Sequence, residues 1–481
     1  MNPLLRRKII VSADDQPHEH RMARTLGWPH LVALGVGAIV GTGILTLIGV
    51  GADKAGPSVL LSFAIAGAIC ACAALAYAEM ATMMPASGSA YTYSYAVLGE
   101  IFAWVVGWSL ILEYSLVVST VAVGWSGYAS GFLKSLGLGL PDMLTHGPIF
   151  TGHVGDGTLA MVSAGINLPA VFIIAVVAGL LMLGTRESAR LNMVLVLIKI
   201  VTLSLFVAVA LPHFDATHFE PFMPFGFGKT MGPDGVERGV MAAAAIIFFA
   251  FYGFDAISTA AEETRNPDRD LAIGIVGSMV ACTIIYMVVA AAAVGALYFG
   301  DFANSAEPLA LILRQIGEPG IAKVIGAAAV IALPTVLLAF LYGQSRIFLV
   351  VARDGFLPPA LAKISRRGTP VRITILTAIF VSIFAGLVPL DQIAALANSG
   401  TLCAFIAVAT CMLILRRRAP DAPRPFRTPA AWAVGIGAIL GCLYLFFSLP
   451  ERTQLWFLIW NGAGLLVYFG YGMRRSLVKA L

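Results

Sequence analysis

The chain has 481 residues, 59% of them in the hydrophobic set and only 12% charged, with a mean hydropathy of +0.88. A water-soluble chain is about 45–50% apolar and about 25% charged, so an ordinary soluble enzyme, a disordered chain and a nucleic-acid binder are excluded at the outset. The net charge of +5 has to be explained within a membrane.

Residues 1–28 form a polar, charged tail (Arg6, Arg7, Lys8, Asp14, Asp15, Glu19) without the short apolar core or cleavage site of a signal peptide. Apolar runs then follow at 29–51, 56–83, 97–133, 167–184, 190–211, 238–262, 271–299, 321–352, 372–389, 393–415, 430–449 and 454–473. Each is about 20 residues or longer, enough to cross a ~30 Å hydrocarbon layer at 1.5 Å per residue. The pattern predicts an all-α integral membrane protein of about twelve spans.

The first run carries Gly35, Gly37, Gly41 and Gly43 at its middle, and the sixth reads Phe248-Phe249-Ala250-Phe251-Tyr252-Gly253-Phe254-Asp255. The third holds Glu113. The fifth holds Lys199, nine residues beyond Arg190 and so ~13 Å along the helix. A charged lysine there costs about 2.5–3.5 kcal/mol and marks a functional position by default. Pro334 should kink the eighth run by removing a hydrogen bond and clashing with the preceding turn. Asp255 and Glu79 read as structural or gating acids, with Glu262 and Glu263 near the same membrane face and Arg346 and Arg353 as cations able to pair with them. Trp125 is a weak candidate for lining a pathway.

If the amino terminus is cytoplasmic, 22 of the 31 Lys and Arg fall on that side and seven on the other, with Lys199 and Arg346 left within or near spans. This split places both termini in the cytoplasm of a multi-pass inner (cytoplasmic) membrane protein, and Arg416-Arg417-Arg418 needs no further explanation than that rule. The six cysteines lie inside spans without metal-ligand spacing, and no histidine joins them. No metal, cofactor or nucleic-acid partner is expected.

Broken helices at corresponding places in two halves point to a transporter's binding site. Unwinding frees peptide groups that lipid cannot satisfy. Half-helix amino ends offer N–H donors to a carboxylate, and bare carbonyls suit an ammonium. A zwitterion answers both.

The stretch Gly37–Ile44, the loop Pro85-Ala86-Ser87-Gly88-Ser89-Ala90-Tyr91, the Phe-Tyr-Gly-Phe-Asp of the sixth run and Tyr342-Gly343-Gln344-Ser345-Arg346 resemble the amino acid–polyamine–organocation superfamily. Leu112-Glu113-Tyr114 and Arg353-Asp354-Gly355-Phe356-Leu357-Pro358 resemble its cationic amino acid transporter branch, including bacterial proton-coupled permeases. The resemblance implies a leucine-transporter-type fold: a tail (1–28), a five-helix repeat (29–211), an inverted second repeat (238–415), and two added helices with the carboxyl terminus (416–481). Helices one and six would be discontinuous at Gly41 and Gly253. It further implies that the N–H groups of Thr42, Gly43 and Ile44 receive a substrate carboxylate. The carbonyls of Ile39, Phe249 and Tyr252 would take its ammonium, and Phe254 would close over it. A lysine at the position of Lys199 stands where sodium-coupled relatives bind sodium, which makes Lys199 the expected proton-coupling group, with Glu113 a second candidate.

The expected function is proton-coupled uptake of broad or neutral L-amino acids. A cationic amino acid transporter and an amino acid or polyamine exchanger remain as alternatives. A channel would want a ring of repeated charges, and neither an enzyme's catalytic cluster nor a phosphate loop is present in the sequence. The partners are the amino acid, protons and the bilayer; an accessory subunit is left open.

Overall fold

The computed structural model describes residues 4, 6–7, 26–86, 88–151, 160–163, 165–183, 189–233, 235–261, 264–303, 305–362 and 371–476. The first predicted run is three helices in place of one: α1 (Trp28–Ile39), α2 (Thr42–Leu45) and α3 (Leu47–Ala55). Val40 turns extended at ψ 99°, Gly41 leaves helical space at φ −154°, ψ −141°, and Thr46 bends the chain again before α3. Two long helices then follow, α4 (Val59–Met83) and, beyond the short α5 (Ser89–Val97), α6 (Glu100–Ser135). At 36 residues, α6 is about 54 Å long and overshoots the hydrocarbon at its end. Gly99, at φ +112°, makes the corner between α5 and α6.

Next come α7 (Leu168–Leu183) and α8 (Ala189–Ala210). The sixth run is α9 (Val240–Ile247), one 3₁₀ turn (Phe248–Ala250), an irregular stretch through Phe254, and α10 (Asp255–Thr259). α11 (Pro267–Ala296) is unbroken, and α12 (Phe299–Phe302) and α13 (Pro308–Gln315) lie in the following loop. The eighth run is interrupted at Leu333, just ahead of Pro334 and with helical dihedrals (φ −61°, ψ −36°), into α14 (Pro319–Ala332) and α15 (Pro334–Arg353); then come α16 (Val371–Leu387), α17 (Leu390–Arg418), α18 (Ala431–Ser448) and α19 (Glu451–Val467). The only strands among the described residues are two antiparallel pairs in loops, β1 (Ile149–Thr151) with β2 (Ala160–Ser163), and β3 (Thr230–Met231) with β4 (Glu237–Arg238).

Among the described residues, nine helices are long and apolar enough to cross a membrane. Three shorter apolar helices, Trp28–Ile39, Leu168–Met182 and Val371–Leu387, coincide with predicted runs. Every residue of α9 is buried, whereas α7, α16, α18 and α19 turn Phe172, Leu376, Leu440 and Leu458 outward, each about three-fifths exposed. Apolar surface of that kind belongs against lipid. The broken spans are therefore the centre of the molecule, wrapped by α4, α6, α11 and α17.

Small residues let the two breaks touch. Gly253 takes φ +121°, and a Cβ there would lie 3.0 Å from the Ala38 carbonyl carbon and 3.1 Å from the Ile39 nitrogen; only glycine combines that backbone with that approach. Gly43 is tighter still, its would-be Cβ only 2.3 Å from the Ala250 Cα.

At the end of α4, Glu79 is 1% exposed and ligated on every side. It accepts from Arg416 at 2.8 and 2.6 Å and from the Thr428 N–H at 2.8 Å, with Arg424 Nε at 3.3 Å. Arg424 also donates to the carbonyls of Leu415, Ala419, Pro420 and Ala422, closing the carboxyl end of α17. Arg416, expected only to orient the chain, is thus a half-buried structural partner that joins α17 to α4, beside the buried Arg424. Glu262, Glu263 and the side chains of Arg346 and Arg353 lie outside the described residues. Removing one partner of a buried ion pair costs about 3–5 kcal/mol, so Glu79→Gln should lower the thermal midpoint of the detergent-solubilised protein by several degrees. An unchanged midpoint would contradict the burial of this network.

Candidate substrate site at the two helix breaks

A helix start leaves its first four N–H groups without partners. In α2 the first backbone bonds run from Leu45 N–H to Gly41 and from Thr46 N–H to Thr42. Among the described residues the N–H groups of Gly41, Thr42, Gly43 and Ile44 therefore have no backbone acceptor. The Thr42 hydroxyl, fully buried and pressed against Gly124 of α6, is also without a partner. Across the gap, the 3₁₀ turn bonds Phe251 N–H to Phe248 and skips its neighbours; among the described residues the carbonyls of Phe249 and Tyr252 accept no hydrogen bond. The Tyr252 hydroxyl is buried without a partner as well. Four donors thus gather on one broken span and at least two acceptors on the other.

Three carbonyls of span 1 accept from other helices. Tyr286 of α11 donates to Ile39 at 2.7 Å, Tyr128 of α6 to Leu45 at 2.6 Å, and Lys199 of α8 to Gly37 at 2.8 Å. Ile39, expected to face an ammonium, already carries one donor, although a carbonyl oxygen has a second lone pair. Lys199 is 4% exposed and holds α8 against α1 one turn before the break.

On span 6, Asp255 accepts from the Gly253 N–H at 3.0 Å and from the Tyr114 hydroxyl at 3.1 Å, tying the second half-helix to α6. Glu113, the residue before Tyr114, is fully buried; neither of its carboxyl oxygens has a partner of hydrogen-bonding geometry, and the nearby Thr401 hydroxyl is turned to the Ala397 carbonyl. Phe254 packs among Tyr77 and Phe405, with ring centroids 5.7 and 5.1 Å away, which sets its ring toward α4 and α17. Tyr252 stands against Phe249 at 4.8 Å and Phe340 at 6.5 Å. Trp125 donates to the Val330 carbonyl at 2.9 Å, a tie between α6 and α14.

Asn398 of α17 is a site residue that sequence reasoning missed. Its amide donates to the carbonyls of Ala245 at 2.7 Å and Ile246 at 3.1 Å, just ahead of the 3₁₀ turn. A polar amide in mid-run, followed by Ser399 and Gly400, was the available signal. Gly400 brings α17 within 2.8 Å of the Ser109 carbonyl and 3.1 Å of the Glu113 Cβ, measured from its would-be Cβ.

Two interrupted spans whose bare peptide groups meet at the centre of a helical membrane protein define a polytopic transporter. The chain matches the amino acid permease family over residues 26–469 and belongs to it. It is 44% identical over 459 residues to the branched-chain amino acid permease BcaP of Bacillus subtilis (strain 168), covering 95% of each chain. It is 38% identical over the full length of both chains to the methylthioribose transporter of the same organism. It is also 37% identical to the vacuolar cationic amino acid transporter 2 of Arabidopsis thaliana, over 87% of this chain and 64% of that one. These relationships place it among the membrane permeases of the superfamily its motifs resemble.

Proposed function

We propose that the chain imports neutral L-amino acids across the cytoplasmic membrane by proton symport and alternating access. The observation that carries this reading is the pairing of free N–H groups at Gly41–Ile44 with free carbonyls at Phe249 and Tyr252. A carboxylate on the first set and an ammonium on the second satisfy both breaks at once, without any charged side chain. Beside them stand the rings of Phe249, Tyr252 and Phe340, and the two phenylalanines favour a hydrocarbon side chain such as that of leucine.

Lys199 carries the coupling in this reading. Protonated, it braces α8 on the Gly37 carbonyl; neutral, it loosens α1 relative to its surroundings. Glu113 is the second proton carrier, a fully buried carboxyl whose two oxygens have no hydrogen-bond partner. One proton moving down one pH unit supplies about 1.4 kcal/mol, and each 100 mV about 2.3 kcal/mol more. The chain would work as two inverted five-helix repeats, 29–211 and 238–415, with residues 416–481 outside them and both termini cytoplasmic.

Purified protein in liposomes tests this. Under an inward proton gradient, labelled leucine should accumulate and collapse on adding a protonophore, with lysine and arginine competing weakly. Leucine counterflow without any response to the gradient would make it an exchanger. The full-length likeness to a methylthioribose transporter favours a second reading, in which methylthioribose displaces leucine. That sugar has neither carboxylate nor ammonium to match the two breaks, so we expect no displacement.

A further inference from the structure

The loop ahead of span 6 holds charges that the site does not use. β3 and β4 pair Thr230 with Arg238 and Met231 with Glu237, and β4 runs straight into α9 through Gly239. Every residue of that passage reaches the end of α3. The Gly239 N–H donates to the Lys54 carbonyl at 2.8 Å, Arg238 Nε donates to the Asp53 carbonyl at 3.1 Å, and Arg238 Nη2 meets Asp53 Oδ1 at 3.3 Å. In return, Lys54 Nζ donates to the Glu237 carbonyl at 3.2 Å. Lys229 of the hairpin's approach binds Glu237 at 3.2 Å and donates to the Leu449 carbonyl, at the end of α18, at the same distance.

The guanidinium of Arg238 also lies 5.2 Å over the Phe225 ring, a favourable cation–π distance. Gly239 is at φ +123°, with a would-be Cβ 1.9 Å from the Gly228 carbonyl oxygen, so no side chain fits where strand becomes helix. Below the hairpin the two half-helices are already in close contact. A Cβ on Gly51 of α3 would lie 2.5 Å from Ile247 Cδ1 of α9.

From this we infer that the β3–β4 hairpin is a clasp: Asp53, Lys54, Glu237 and Arg238 bind the far ends of α3 and α9 into one rigid body, so that the helix that follows the donors of α2 and the helix that leads into the acceptors of the 3₁₀ turn move together when that face opens. Asp53 and Arg238 are positioning residues, remote from the substrate. An unclasped pair would let the N–H set and the carbonyl set part before the bundle has turned, and turnover would fall. The inference rests on the transport reading above.

The test uses Asp53→Cys/Arg238→Cys in the full chain. Reduced, this variant should transport about fivefold more slowly than the parent, within the range by which remote couplings act. Bridging the two thiols with a bifunctional reagent long enough to replace the Asp53–Arg238 pair should restore at least half of the lost rate. The parent, whose six cysteines are buried or half-buried, serves as the reagent control. A reduced variant as fast as the parent, or a bridge that stops transport, would overturn the clasp.

Hydrogen exchange reads the clasp without reference to substrate. Arg238→Gln should lose protection in the last turn of α3 and at Gly239–Met241 together; loss at one end alone also refutes it. A parent protein that transports no amino acid would defeat the transport reading, while the exchange result would still decide the clasp.

Discussion

Gly43→Ala is expected to abolish transport, lowering uptake in liposomes at least about a hundredfold. Its methyl group would fall 2.3 Å from the Ala250 Cα and 3.2 Å from the Ala250 nitrogen. The obstacle is backbone in a fully buried turn, so no rotamer change relieves it. Overpacking of a close-fitted interior costs about 1–3 kcal/mol when neighbours can shift, and here the relief available is separation of the two breaks. That separation undoes the alignment of donors and acceptors. Gly179→Ala in α7 is the fitting control, because a Cβ there meets nothing within 4 Å and alanine is the better helix former. Equal activity of the two variants would show that the close approach of the breaks does not matter.

The second large effect is expected at Lys199. Lys199→Ala should eliminate accumulation driven by a proton gradient. Its Nζ reaches the Gly37 carbonyl at 2.8 Å from a position that is 4% exposed. The variant leaves that carbonyl bare, at about 1–3 kcal/mol, and removes the group to which the proposed function assigns proton coupling. Uptake against an imposed gradient of one pH unit, which drives about tenfold accumulation per coupled proton, gives the measurement. Persistent proton-driven accumulation would reduce Lys199 to a structural brace.

Much of this architecture was legible because the bilayer simplifies the reading. Apolar runs of known length mark the helices, and glycine clustered at mid-depth with Phe-Tyr-Gly-Phe-Asp marks where they break. Pro334 interrupts its helix for a purely local reason, the missing N–H. What the chain order concealed were the partners of the freed groups. Tyr286, Tyr128 and Asn398 sit in otherwise unremarkable helices, between 83 and 247 positions away from the carbonyls they serve, and residue type alone cannot pair them. Glu79 shows the same limit. Its acidity at a helix end was plain, but Arg416 and Arg424 lie 337 and 345 positions downstream, and the positive-inside rule had already accounted for Arg416. The role expected of Phe254 came from the family resemblance, and chain order could not show that its ring packs beside Tyr77 of α4 and Phe405 of α17, at 5.7 and 5.1 Å.

The phenols of Tyr286 and Tyr128 also bear on the heat of binding. By holding the carbonyls of Ile39 and Leu45 on either side of α2, they keep the interruption of the first span standing before any ligand arrives. Little chain then has to be ordered when an amino acid docks, so calorimetry should find a small unfavourable conformational entropy and a modest negative heat-capacity change. Phenylalanine at both tyrosine positions would shift that balance, making the ligand itself supply the order that the hydroxyls now provide.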